Sequence, residues 1–372
     1  MKYLIVILIF IQTVILFVFV VKSARQRKKC NRKIFPCNVK NKESVDVIIA
    51  AREDIVMIKK CISSVLKSGF KNVVLCVDGG DSVVADEIAA CFNNVKIIFN
   101  EQSIGKIRSQ RRCLTMSTKD VVLIIDADIS LIEEEVDGFV SSYFGQNVDF
   151  LCPYSVGESL EKHSLLFSIA ESDRYMRQRI VRAGRDAYGV SNLSGYCILA
   201  NRKKYLDIID SNAIQDDVIA TLNLLKKHYS VKTYHHAVCS EVERNKFIPY
   251  LLQKTRWTAG NIMLIKSYPA LFKSTSFSKS FAFTSSFLLW YWSWWVDFVS
   301  VFMAIHTPVV SVALITEAII KVSGLIISSK PDRRLMSSAL YVLIWPLFST
   351  ICLLLSPPFL LGLISERKTR RL

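Results

Sequence analysis

At 372 residues with 51% hydrophobic content and a mean hydropathy of +0.31, the chain is too apolar for an average soluble enzyme, and part of it is expected in lipid. Forty-eight Lys and Arg against 32 Asp and Glu leave a formal charge of +16. That charge suits nucleic acid, anionic headgroups or an anionic substrate equally, so the placement of the basic residues must decide. Ten cysteines, with no C-x-x-C pair and no Cys/His cluster at zinc spacing, indicate neither a disulfide framework nor a structural metal site and read as reduced thiols facing the cytosol. No internal repeat or low-complexity stretch points to a solenoid or a disordered tail.

In chain order, residues 3–21 form an uninterrupted apolar run, long enough at about 1.5 Å per residue to cross a hydrocarbon core of about 30 Å. It exceeds the usual signal-peptide core and its exit lacks a small-x-small cleavage site, so it is read as an anchor over residues 1–24. Lys22, Arg25, Arg27, Lys28, Lys29, Arg32 and Lys33 follow, and a basic linker over residues 25–43 belongs on the cytoplasmic side. The next domain is therefore expected in the cytosol. These residues already have anionic lipid to face, and no nucleic-acid partner is expected.

Between residues 44 and 244 short apolar strands alternate with amphipathic helices, the pattern of an α/β domain with a mostly parallel sheet. Strands are predicted at residues 45–50, 73–77, 95–99 and 121–125, and helices at residues 55–68 and 104–116. The second strand ends at Asp78-Gly79-Gly80-Asp81-Ser82 and the fourth at Asp126-Ala127-Asp128. Ligands gather outside the carboxyl ends of strands in such sheets. Two aspartates one residue apart there can hold a hard divalent cation bridging a diphosphate, or merely close an Asx turn. No G-x-G-x-x-G follows the first strand and no P-loop occurs, which removes most support for dinucleotide or P-loop chemistry.

Farther on, Ser191-Asn192-Leu193-Ser194-Gly195-Tyr196-Cys197 is a small-residue turn before a short strand. Gln215-Asp216-Asp217 opens a helix predicted at residues 218–228, so its carboxylates meet the positive end of a helix dipole. Gln253-Lys254-Thr255-Arg256-Trp257 lies on a basic, aromatic helix within residues 245–275, which reads as interfacial.

Residues 276–372 contain the remaining apolar segments. Residues 281–305 and 309–327 suggest a helical hairpin, and Lys330-Pro331-Asp332-Arg333-Arg334 returns to the cytosol by its charge. A third stretch, residues 336–364, is interrupted at Pro346 and Pro357-Pro358. It either doubles back at a proline or breaks the charge rule with the basic tail at residues 366–371. Trp290-Tyr291-Trp292-Ser293-Trp294-Trp295 is either an interfacial belt or a ladder for a glycan, and Asp297 should face a cavity or an interface rather than lipid.

Taken in order, these pieces resemble the membrane-bound family 2 glycosyltransferases, the group of cellulose, chitin and hyaluronan synthases and the rhizobial chitooligosaccharide synthases. Val47-Ile48-Ile49-Ala50-Ala51-Arg52-Glu53 is similar to the family's opening strand and nucleotide-binding turn, Asp78 to the acidic residue contacting the nucleoside, and Gly105-Lys106 to a Gly-Lys pair before the next helix. Asp126-Ala127-Asp128 resembles the D-x-D, Asp216-Asp217 stands where Glu-Asp is usual, and Gln253, Arg256 and Trp257 match Q-x-x-R-W. The chain departs at Ala50-Ala51, where Pro-Ala or Pro-Thr is common, and at Gln215-Asp216-Asp217, which replaces Thr-Glu-Asp.

The resemblance implies a GT-A type, Rossmann-like cytosolic domain flanked by transmembrane helices. It also implies inverting transfer from a UDP-sugar with Mg²⁺ or Mn²⁺. In that scheme Asp217, or its neighbour Asp216, is the base, Asp128 holds the metal, and Asp126 lies nearer the ribose or phosphate. Ala51, Glu53, Asp78, Lys106, Gln253, Arg256 and Trp257 complete the donor site, with the flat face of Trp257 available to a sugar ring. The acceptor is a growing glycan at the bilayer, or a lipid, as in a non-processive ceramide glucosyltransferase.

Overall fold

The computed structural model describes residues 2–30, 40–52, 54–80, 82–159, 164–210, 216–244, 246–264, 276–291, 293–328 and 335–361. The chain divides into two compact units. One comprises Cys30–Glu158 and Ser191–Val242, the other Met1–Lys29, Ser159–Val190 and Glu243–Leu372.

The first unit is an α/β fold on a mostly parallel sheet. Its strands are β1 (Val45–Ala51), β2 (Asn72–Asp78), β3 (Val95–Asn100), β4 (Val121–Asp126), β5 (Ile129–Leu131), β6 (Phe150–Glu158), β7 (Cys197–Asn201) and β8 (Val231–Val242). They lie in the order β3-β2-β1-β4-β7-β6-β8-β5. β1 pairs parallel with both β2 and β4, β2 with β3, and β6 with β8. β7 enters antiparallel between β4 and β6, and β5 is antiparallel to β8. β1 and β4 are rich in Val and Ile and almost wholly buried, as central strands covered on both faces must be.

The helix Ile55–Lys67 shows how sequence sets the covering layer. Asp54 caps it by accepting the Met57 N–H at 3.1 Å, and Ile58, Cys61, Ile62 and Val65 form its buried stripe. Asp46 is an acid inside β1, yet it accepts from Ser117 Oγ at 2.7 Å and from the N–H groups of Thr118 and Lys119 at 2.8 and 3.2 Å. It thereby fixes the chain just before β4. Register places Ala50 beside Asp126 and Ala51 beside Val77, so the ends of β1, β2 and β4 lie together.

The second unit is helical. Among the described residues, three helices are long and apolar enough to cross a membrane: Tyr3–Lys29, Pro308–Ile327 and Ser337–Pro358. The apolar residues predicted as one span at 281–305 lie in the helices Phe277–Tyr291 and Ser293–Ala304, on either side of residue 292, which is outside the described residues. The third apolar stretch does not double back at Pro346, because Leu335–Leu360 is one helix through all three prolines.

Residues 159–190, expected within the α/β span, cluster with the helices. Leu165–Tyr175, a π turn at Met176–Arg182 and Ala183–Asp186 follow without a break. Ile169, Ala170, Met176 and Ile180 pack in one core with Leu16, Phe19, Leu325 and Tyr341. Asp297 is buried, accepting from Gln12 Nε2 at 2.7 Å and pairing with Lys321, which also lies 2.8 Å from Glu317. In the aromatic run Trp294 is buried under the Lys321 ammonium, 3.9 Å from the ring centroid, while Trp295 is exposed. Glu53, Gln215, the 330–334 loop, the 366–371 tail and the side chains of Trp290 to Trp292 lie outside the described residues.

Candidate active site

Two of the predicted acids of the α/β unit, Asp126 and Asp216, meet around one lysine. Gly105 has a φ of 92°, a backbone state that favours glycine, and it turns the chain so that Lys106 opens the helix Lys106–Met116. Lys106 Nζ lies 2.7 Å from Asp126 Oδ1 and 3.5 Å from Asp216 Oδ2, and donates to the Gly195 carbonyl at 3.0 Å. The end of β4, the 191–196 turn and the N-terminus of the helix Asp216–Lys226 are thus joined through one ammonium. Asp128, just past β4, is exposed.

Asp217 stands on the other side of the turn. A Cβ at Gly195 would lie 3.6 Å from its Cβ, Cγ and Oδ2, so the carboxylate rests against bare backbone. Its Oδ1 accepts the Val218 N–H at 2.9 Å. Thr221 Oγ1 donates to the Asp217 carbonyl at 2.7 Å and accepts the Leu193 N–H at 3.0 Å, pinning turn to helix.

Electrostatics follow from this crowding. Burial, with Asp128 and Asp216 adding to it, pushes the Asp126 carboxyl up to about 7 despite the opposing Lys106 charge. Burial alone would discharge Lys106, but Asp126 and Asp216 outweigh it and hold the ammonium above the ordinary lysine range. Burial also raises the Tyr205 phenol, with Asp216 adding to it.

Asp78 plays a different part. Its Oδ1 accepts from Asn100 Nδ2 and the Ile104 N–H, each at 2.9 Å, and its Oδ2 from Ser103 Oγ at 2.8 Å and the Gly105 N–H at 2.9 Å. Both oxygens are thereby committed to the 100–105 loop that delivers Lys106. Burial works against its charge, but these donors, the Ile104 N–H foremost, hold the carboxyl below the usual range. Ala51, at the end of β1, belongs to the apolar core.

Gln253, Arg256 and Trp257 lie in the helical unit, on Phe247–Leu264. Spaced i, i+3 and i+4, they share a half-buried face. Lys254 Nζ lies 3.9 Å and Arg177 Cζ 4.9 Å from the Trp257 ring centroid. Both cations share Asp173 Oδ2, at 2.7 and 3.0 Å. The ring expected to receive a sugar is therefore a platform for two cations. Burial lowers Lys254 to about 7 although Asp173 opposes the change.

Residues 43–260 match the family described as Glycosyltransferase like family 2. The chain belongs to that family. Similar to this family 2 glycosyltransferase is an N-acetylglucosaminyltransferase of Sinorhizobium fredii (strain NBRC 101917 / NGR234), 22% identical over 233 residues that cover 58% of this chain and 56% of the relative. The chain thus spans little more than half the length of that relative. The mannosyltransferase PcManGT from Pyrobaculum calidifontis, solved in complex with GDP-Man and Mn²⁺, shares the fold with a TM-score of 0.60 at 13% identity, over 94% of this chain and 99% of that one.

Among the described residues of this glycosyltransferase, no group of three or more His, Cys, Asp or Glu side chains is arranged to hold a metal ion. Asp126 and Asp128 nevertheless fit a hard divalent cation that takes one or two carboxylates and completes its shell from diphosphate and water. Burial foremost raises the Asp126 carboxyl, and such an ion would answer the smaller contributions of the Asp128 and Asp216 charges. Sequence reasoning missed Gly195 as the neighbour of the acidic pair, and missed Asp173, Arg177 and Lys254. The small-residue turn was the signal for Gly195; Asp173 lies 81 positions from its partner Lys254, a distance no local pattern spans.

Proposed function

We propose that the chain is an inverting hexosyltransferase that moves a sugar from a UDP-sugar to an acceptor hydroxyl at a membrane. It repeats the transfer to build a β-linked glycan of the hyaluronan, chitin or cellulose kind. The observation that supports this most is Lys106 bound between Asp126 and Asp216, which joins the D-x-D to the acidic pair of the base. The N-terminal helix enters with the active domain on the cytosolic side, where nucleotide sugars are.

Asp217 takes the proton from the acceptor hydroxyl as it attacks the anomeric carbon, and its place in the first helical turn favours the ionised form such a base needs. Asp216 keeps Lys106 in position beside it. As charge builds on the departing diphosphate, Lys106 supplies one cation and Arg256 a planar fork, with Gln253 and Trp257 on the sugar side. Ala51, Glu53 and Asp78 shape the nucleoside end, Asp78 through its loop. Mg²⁺ or Mn²⁺, held through Asp128 with Asp126 toward the ribose or phosphate, would supply Lewis-acid stabilisation of the leaving group.

A second reading is favoured by the small membrane part, with three spanning-length helices among the described residues: single transfer to a lipid acceptor, as in ceramide glucosyltransferases. Membrane-reconstituted protein given labelled UDP-sugars with Mg²⁺ or Mn²⁺ should release UDP and yield a ladder of products on a gel. One-sugar lipid products would select the second reading, and no UDP release with any donor would end both.

A further inference from the structure

A lysine is poorly placed at the first position of a helix, where the dipole presents its positive end. Lys106 is kept there by oxygen atoms from three separate stretches of chain: Asp126 Oδ1, Gly195 O and Asp216 Oδ2. Two carboxylates and a carbonyl are the donor set of a hard cation.

The surrounding fold holds this arrangement rather than leaving it to chance. Asp78 fixes the N–H groups of Ile104 and Gly105 at 2.9 Å each, immediately before Lys106. Thr221 joins Leu193 to the Asp217 carbonyl, which sets the distance between the turn and the helix that bear the other two oxygens. The ammonium is therefore aimed into an oxygen cage by two independent hydrogen-bond networks.

We propose that Lys106 is a resident stand-in cation. In the donor-free enzyme it clamps Asp126 to Asp216 and, from Asp126, opposes a divalent metal at Asp128, so that metal enters only together with a nucleotide diphosphate. The reason is electrostatic: a metal ion on Asp128 and the ammonium on Asp126, the two acids of the D-x-D, repel each other at short range. A diphosphate arriving with the metal offers the displaced ammonium new oxygen partners. Metal and nucleotide then bind synergistically, and the Lys106 charge passes from the empty cage to the leaving group. This inference rests on the metal-dependent reading proposed above.

The test is Mn²⁺ binding followed by electron paramagnetic resonance on the purified full chain, with and without UDP, in the absence of any acceptor. Wild type should bind Mn²⁺ weakly alone and by about tenfold or more tighter with UDP. Lys106→Gln should bind Mn²⁺ alone by about tenfold or more tighter than wild type and lose most of the synergy, whereas Lys106→Arg should behave as wild type. Thermal unfolding reports whether each variant is folded. If Lys106→Gln is not, the wild-type pair of affinities decides, and equal values overturn the proposal. It is also overturned if folded Lys106→Gln binds Mn²⁺ alone no better than wild type. Absence of Mn²⁺ binding by wild type even with UDP would overturn the metal reading of the D-x-D as well, while UDP release in the transfer assay tests the glycosyltransferase reading by itself.

Discussion

Gly195 stands against Asp217: the point a Cβ would occupy lies 3.6 Å from three atoms of the acid's side chain. That is ordinary van der Waals contact, so one methyl fits and a branched side chain does not. Gly195 also has no left-handed backbone to lose. Gly195→Ala should therefore keep the wild-type stability to within about 1 kcal/mol. Gly195→Val should fold yet lose turnover by about 100-fold, because the base is displaced. Thermal unfolding and initial rates of UDP release on the same preparations check both.

Replacing Asp217 by Asn removes the proposed base while keeping its shape and its place at the helix start. Turnover should fall by about 100- to 10,000-fold, with UDP affinity within a few-fold of wild type. Binding by calorimetry and single-turnover transfer separate the two quantities. Loss of binding with residual turnover would contradict the role given to Asp217.

Asp78 predicts a pH signature. Its carboxyl is held below the unfolded value of about 3.9, so its contribution to stability is fully present above that pH. It is lost as pH falls through the lower folded value. Asp78→Asn should be less stable than wild type at neutral pH by about 2 kcal/mol, since four hydrogen bonds to a charged acceptor are disrupted. The gap should narrow below about pH 4. Melting temperatures of the two proteins across pH 3 to 7, roughly the window in which an aspartate changes charge, measure it; a gap that is flat with pH would contradict the account.

In the helical unit, Asp173 is fully buried and balances Lys254 and Arg177. Asp173→Asn removes the buried carboxylate that Lys254 and Arg177 share and should cost about 3–5 kcal/mol. Trp257→Leu, which removes the ring beneath those cations, should cost about 1–2 kcal/mol through the same cluster. Thermal unfolding in detergent, with the double variant completing a cycle, tests whether the two effects are coupled.

The parallel half of the sheet was legible because buried parallel strands are continuous runs of Val and Ile, as in β1 and β4. β8 was not. Val231–Val242 is buried at only some positions and carries His235 and His236, so it lacks both a clean alternation and an apolar run. The helix from Leu165 to Asp186 was hidden twice. Its arginines look like a solvated face, yet Arg174 is buried between Glu171 and Glu243, and the π turn at Met176–Arg182 shifts the 3.6-residue phase that would have announced it. The acidic cluster was foreseeable as a set of strand ends, but the direction of Lys106, set by a loop held on Asp78, was not written in any local spacing.

Gln12 reaches Asp297 across 285 positions of chain and Glu317 across 305. At about 5–20 residues per second of synthesis, the first helix waits on the order of tens of seconds for its polar partners. During that interval neither acid is there to accept from its amide. Exchanging the N-terminal helix for a generic apolar one would therefore leave the later acids without their donor, and should show as slow maturation and rapid turnover of newly made chains.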